Sequence, residues 1–229
     1  MTATTPLNVF VAGASRGVGF EVVKGLTQKG SQVVALLRTD DAKSQLEALG
    51  AKVEIGNALD VDFVKSAVQH FGSEPFAVVT TLGGKGFTGD QPRSDYLGNR
   101  NLVDAVKSGP CQQFIMVSSI GVRDSAVALP EQVLETLRPA LLAKAKAEEH
   151  LAESGLAFTV VRPGGLLSEP ATGTGIFVED VRIAGSITRV DVAALVVQCL
   201  ASPKARNKVL SAVDRDRIRS EHPIVPFVL

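Results

Sequence analysis

The chain has 229 residues, of which 45% are hydrophobic and 21% charged, a balance that suits a globular protein with a substantial core. Lys+Arg and Asp+Glu both number 24, so no net charge draws the protein to nucleic acid or to an anionic membrane. No apolar run approaches the roughly 20 residues that span a bilayer, and no membrane span is expected. The opening MTATTPLNVF lacks the basic start and long apolar stretch of a signal peptide. Cys111 and Cys199 form no CxxC pair and read as small buried residues in a reducing compartment, so a cytoplasmic protein is expected. His70, His150 and His222 are scattered without metal-ligand spacing, and no metal site is expected.

Short β-branched runs alternate with helical patterns along the chain. A first strand is predicted at 7–12 (LNVFVA), then a helix at 17–29 with Val18, Val22, Val23 and Leu26 on one side. A strand at 31–37 and a helix at 41–49 follow, with Asp40 and Asp41 read as the start of that helix. Next come a strand at 51–56, a helix at 60–70, a strand at 76–82 and a helix at 93–108. Strands at 113–119 and 157–163 enclose a helix at 131–154; a helix at 189–201 and a strand at 208–213 close the series. Several strands are apolar nearly throughout, as when both faces of a parallel sheet are covered. The rhythm predicts a Rossmann-like, doubly wound α/β fold: one parallel sheet flanked by helices, in a single domain over 1–229. The irregular stretches 83–94, 120–130 and 164–188 mostly follow strand C-termini, where such sheets bind ligands. With the apolar C-terminal tail, they are expected to build a substrate crevice. The tail EHPIVPFVL is expected to dock, either on the domain or on a second subunit.

The stretch AGASRGVG joins the first strand to the first helix. Gly13, Gly17 and Gly19 have the spacing GxxxGxG, which lets backbone N–H groups and a helix N-terminus approach a pyrophosphate. The loop residues Gly13, Ser15, Arg16, Gly17, Val18 and Gly19 are therefore read as a dinucleotide cradle. An NAD site usually ends its second strand with an acid that holds the ribose hydroxyls. Here the strand ends in Leu37 and Arg38. Arg16 and Arg38 are read as the clamp of a 2′-phosphate, which makes the expected cofactor NADP(H).

Taken together, VAGASRGVG, VVALLR, VEIGNALD, AVVTTLGG, SDYLGNRNLVDAVK, QFIMVSSIGV, KAKAEEHLAESGLAFTVVRPGGLL and ITRVDVAALV resemble the atypical short-chain dehydrogenase/reductases near the NmrA-like proteins. HLAESGLAFTVVRPGGLL is also similar to biliverdin-IXβ/flavin reductases. The resemblance implies that Asn57 and Ala58 lie beside adenine and that Thr81, Leu82 and Gly83 line the cofactor. It places Ser118 and Ser119 at the end of the fifth strand, with Ser119 at the catalytic serine position. Lys144 falls at the active-site lysine, and Pro163, Gly164 and Gly165 would back the nicotinamide and its ribose. The chain departs from the tyrosine-dependent members, because the position four before Lys144 is Ala140. Tyr96, the one tyrosine, reads as a packing residue on another helix.

Without that phenol, the expected reaction is hydride transfer from NADPH to a small planar acceptor such as a flavin, a quinone or a linear tetrapyrrole. The delocalised system takes the hydride, and water or a weak acid can supply the proton. Ser119 and Lys144 are the expected catalytic residues. The alternative is a non-catalytic NADP(H)-binding sensor or assembly factor of NmrA-like type. A nucleotide-sugar isomerase ranks last, because of Ala140 and the small C-terminal part.

Overall fold

Alternation within the strands dictates the layers. In the computed structural model, which describes residues 7–83, 94–220 and 222–229, β1 (Asn8–Ala12) sends Val9 and Val11 to one face and Phe10 and Ala12 to the other. All four are fully buried, since helices cover both faces. The series continues with α1 (Gly17–Gln28), β2 (Gln32–Leu37), α2 (Lys43–Ala48), β3 (Lys52–Ile55), α3 (Val61–Val68) and β4 (Phe76–Thr80). It runs on through α4 (Asn99–Val106), β5 (Cys111–Val117), α5 (Glu131–Glu153), β6 (Phe158–Pro163), β7 (Gly165–Leu167), β8 (Gly175–Val178) and β9 (Ala184–Thr188). The last elements are α6 (Arg189–Ala201), β10 (Lys208–Asp214), β11 (Ile218–Arg219) and β12 (Pro226–Phe227).

The main sheet has the order β12-β8-β10-β6-β5-β4-β1-β2-β3. It is parallel from β10 to β3, and β8 and β12 add antiparallel at one border. One apolar layer joins Val9, Val11, Val33 and Ile115 to Val22 of α1 and Val196 of α6. The opposite layer joins Phe10, Val34, Val78 and Phe114 to Val64 of α3, Val103 of α4 and Leu151 of α5. The strand order reverses between β1 and β4, which opens a crevice over their C-terminal ends. This is the expected Rossmann-like fold.

Local differences from the sequence reading have physical causes. Helix α2 begins at Lys43 after Ala42 and has no side-chain cap; Asp41 instead accepts a hydrogen bond from the Thr39 hydroxyl at 2.9 Å. The helix predicted over 93–108 divides into a π turn, Ser94–Gly98, and α4, with the Asn99 side chain donating from Nδ2 to the Asp95 carbonyl at 2.8 Å. Residues 84–93 of the expected crevice loop 83–94 lie outside the described residues. The stretch 164–188 contains β7, β8 and β9, and 214–229 contains β11 and β12. These strands are too short for a readable period and form because pairing partners are presented to them. The tail docks on its own domain: Phe227 stands opposite Phe177 of β8, and Leu229 packs against the core. Cys199 is buried and Cys111 half-buried, both free; burial pushes their thiols to about 12 and about 11.

Two carboxylates anchor the segment after β7. Asp191, on the first turn of α6, accepts from the Thr188 hydroxyl at 2.7 Å and from the Thr172 and Gly173 amides at 2.9 and 3.0 Å. Asp214 accepts from the Thr174 hydroxyl at 2.6 Å, and the Thr172 hydroxyl lies within 2.7 Å of Asp214 and 2.9 Å of Asp191. Burial pushes both carboxyls up, but these hydrogen bonds outweigh it and hold both below the usual carboxylate range. Their contribution to stability is complete above that range and is lost as pH falls through the lowered values. Thr172→Val should cost about 1–3 kcal/mol at neutral pH. Urea unfolding as a function of pH should show the penalty constant from about pH 7 down to the usual carboxylate range and shrinking below it, as the carboxylates protonate.

Candidate functional site

The site is built around the turn from β1 into α1. The Gly13 and Ala14 amides bond to the Leu36 carbonyl at 3.2 and 3.4 Å, and the Thr81 amide bonds to the Ala12 carbonyl at 2.9 Å. The Thr81 hydroxyl donates to the Gly13 carbonyl at 2.9 Å, so its side chain braces the turn. Gly13 has φ +84°, and a Cβ there would stand 2.8 Å from Thr81 Oγ1. A Cβ on Gly19 would stand 2.3 Å from the Gly13 carbonyl oxygen and 2.6 Å from Thr81 Oγ1. Glycine thus lets the first turn of α1 lie directly on the loop. The helix has no side-chain cap and no acidic residue in its first turn, which leaves its positive end and its first N–H groups open to an anion.

Arg16 is the N-cap of α1, with Ser15 before it and buried Val18 after Gly17. Arg16 and Arg38 are both exposed, and neither forms a hydrogen bond or ion pair among the described residues. Arg38 immediately follows β2, the strand paired with β1. Across the β2–β3 edge, the Asn57 side chain accepts from the Leu59 amide at 3.0 Å and shapes the turn after β3. The backbone carbonyl of Ala58, itself buried, accepts from Asn101 of α4 at 3.0 Å.

On the other side of the crevice, half-buried Leu82 and exposed Gly83 follow β4. Lys144 Nζ lies 3.5 Å from the Val117 carbonyl and 3.9 Å from the buried Asp95 carboxylate. Gly83 sits between the two: a Cβ there would stand 3.3 Å from Asp95 Oδ1 and 3.7 Å from Lys144 Nζ. Ser119 is half-buried at the end of β5, and its hydroxyl donates to the Ile120 carbonyl at 2.8 Å. Ser118 is turned elsewhere: its hydroxyl donates to buried Glu148, so it is not an open group facing the crevice. The Gly164 amide bonds to the Ala212 carbonyl at 3.0 Å, and a Cβ on Gly164 would stand 2.2 Å from the Gly185 carbonyl oxygen. Pro163, Gly164 and Gly165 are therefore fixed where the chain leaves β6 and β7 pairs with β9, at the same end of the sheet as Ser119.

Three features escaped the sequence reading. Thr80 Oγ1 and Asn99 Oδ1 lie 2.6 Å apart in the core beneath Leu82 and hold α4 to β4. Arg162, buried on β6, makes two hydrogen bonds to Glu148, at 3.2 and 2.7 Å, and a third to Asp124 at 2.6 Å. Burial lowers the Arg162 guanidinium, but Glu148 and then Asp124 outweigh it and keep it above its ordinary value. Arg189, at the start of α6, lies against Gly17: a Cβ on Gly17 would stand 3.4 Å from its Cδ and 3.5 Å from its Nε. VVRP and ITRVDV carried these arginines in the sequence, but only the folded chain brings them to their partners.

The residues fit a dinucleotide: an open helix N-terminus, a glycine turn pressed onto it, and the exposed cations Arg16 and Arg38 nearby. Gly19→Ala should overpack the turn by about 1–3 kcal/mol, shift the Gly13 carbonyl and weaken NADPH binding at least about tenfold. Gly25→Ala is its control, since a Cβ there meets Val197 at an ordinary 3.6 Å. Circular dichroism with nicotinamide fluorescence titration checks both: both variants should stay folded, and only the first should lose binding.

Comparisons with known proteins agree with this geometry. A Bacillus subtilis protein called uncharacterized sugar epimerase YhfK is 30% identical over 92% of this chain and 95% of its own length. Sanguinarine reductase from Eschscholzia californica is 26% identical over 88% of this chain and 87% of its own. Among solved structures, the anaerobilin reductase ChuY from Escherichia coli O157:H7 superposes with a TM-score of 0.82 at 30% identity, covering 91% of this chain and 98% of that one. The model of the NAD(P)H-binding family matches residues 13–203, from the first glycine of the turn to just beyond the end of α6. The chain belongs to this NAD(P)H-binding family and has the Rossmann-like fold of its oxidoreductases.

Proposed function

We propose that the protein is an NADPH-dependent reductase, of the atypical short-chain dehydrogenase/reductase type, that delivers hydride to a flavin, a quinone or a linear tetrapyrrole. The observation that carries this reading is the composition of the crevice beside Lys144. Ala140 stands one helical turn before it, and Tyr96, the one phenol, is half-buried against the core layer with Arg100 and Lys146 each 6.0 Å from its ring centre. A simple carbonyl needs an acid at its oxygen as hydride arrives, whereas a conjugated acceptor spreads the charge and can take its proton from water. The same absence weighs against a sugar epimerase, despite that word in the name of one relative. The reductase names of two relatives with similar coverage favour the reading.

Bound NADPH supplies the hydride. The chain's own contribution is position and charge. Arg16 and Arg38 hold the 2′-phosphate, the turn from Gly13 to Gly19 receives the pyrophosphate, and Asn57 and Ala58 border the adenine. Leu82, Gly83, Pro163, Gly164 and Gly165 form the walls for the nicotinamide. Lys144 holds the ribose and places positive charge where the acceptor gains electrons, and Ser119 orients the reacting groups. The planar acceptor lies between the segments 120–130 and 164–188, within the one domain. A reducing, cytoplasmic setting suits the two free thiols.

Arg38→Ala should weaken NADPH about tenfold to a hundredfold, the value of one charge-assisted phosphate contact, and leave NADH unchanged. Fluorescence titration with both nucleotides checks this. Adding FMN, a quinone or biliverdin to the NADPH complex should consume the reduced nicotinamide absorbance. Tight NADPH binding without turnover of any acceptor would overturn the reductase and leave a nucleotide-binding sensor or assembly factor.

A further inference from the structure

Arg189 occupies a place that its packing alone does not account for. It is half-buried, and its side chain lies along Gly17 at the open N-terminus of α1. Its Nη1 donates to the Leu166 carbonyl at 3.2 Å and to the Ser168 hydroxyl at 2.8 Å. Among the described residues no carboxylate comes within ion-pair distance of it, although Asp191 is two positions on. Asp191 is committed to Thr188, Thr172 and Gly173 instead. A cation set beside the positive end of a helix that has neither an acidic residue nor a cap is an electrostatic mismatch, and an entering phosphate removes it.

We propose that Arg189 is a phosphate-binding residue of the cofactor site. It grips the nicotinamide-side phosphate of the dinucleotide and ties it to β7, the strand that begins at Gly165. The assignment rests on the NAD(P)H reading above. The side follows from its two anchors. Leu166 and Ser168 continue from the segment that backs the nicotinamide, and Gly17 belongs to the pyrophosphate turn, so the guanidinium bridges these two regions. The bonds to Leu166 and Ser168 fix Nη1 and leave Nε and Nη2 to the ligand. Ordering the side chain in advance reduces the entropy lost on binding.

The test compares two ligands on wild type, Arg189→Ala and Arg189→Lys: NADPH, and 2′,5′-ADP, which lacks the nicotinamide half. Arg189→Ala should weaken NADPH about tenfold to a hundredfold, with Arg189→Lys between it and wild type. Both variants should bind 2′,5′-ADP within about threefold of wild type, since its contacts lie on the other half of the site. Melting temperatures are read in parallel. Unchanged NADPH affinity in Arg189→Ala overturns the proposal. So does a proportional loss of both ligands with a lowered melting temperature, which would make Arg189 a brace for β7. If wild type binds neither ligand, the NAD(P)H reading itself fails and the role of Arg189 falls with it.

Discussion

The contact on which the site depends is the seating of α1 against the carbonyl of Gly13. Two backbones and the Thr81 hydroxyl meet where no Cβ fits. That closeness aims the helix axis at the space above β1 and β4. It also places Arg16 at the start of α1, Arg38 just beyond the neighbouring β2, and Arg189 against Gly17. Had α1 stood a few ångströms farther out, its N–H groups would have faced water instead of a ligand bound over the sheet.

A second constraint lies under the substrate side of the crevice. Glu148 of α5 and Arg162 of β6 are each about 95% buried and hydrogen-bonded to one another, with Ser118 and Asp124 completing the set. Such a pair contributes little net stability, because desolvation consumes most of the attraction, yet leaving either charge alone is expensive. Its effect is geometric: α5 is locked in register with β5 and β6, which fixes Lys144 one turn earlier on the same helix and Ser119 one residue beyond Ser118.

The parallel core was legible in the sequence because each of its strands and helices carries its own period. Val9 and Val11 against Phe10 and Ala12, or Val192, Leu195 and Val196 along α6, announce buried faces without knowledge of their partners. The glycine turn between β1 and α1 was legible for a similar reason: the constraint on Gly13, Gly17 and Gly19 is local to eight residues. What stayed hidden depends on contacts distant in sequence. Strands β7, β8 and β9 are read only by the edges they join, and Thr172 looks like a loop residue until Asp191 and Asp214 converge on it. Ser118 and Ser119 are adjacent and chemically identical, and only the folded chain beyond β5 turns one hydroxyl to Glu148 and the other to the Ile120 carbonyl.

The borders of the main sheet carry a further consequence. At one end β3 is four residues long and bears the exposed Lys52 beside Glu54, 3.2 Å apart. At the other end the two-residue β12, headed by Pro226, lies over β8. A proline has no N–H to offer a newcomer, and a short charged strand presents a poor template. The long sheet that the cofactor site requires would otherwise expose two open edges to other chains. Both are blunted, which disfavours the addition of further strands at either border.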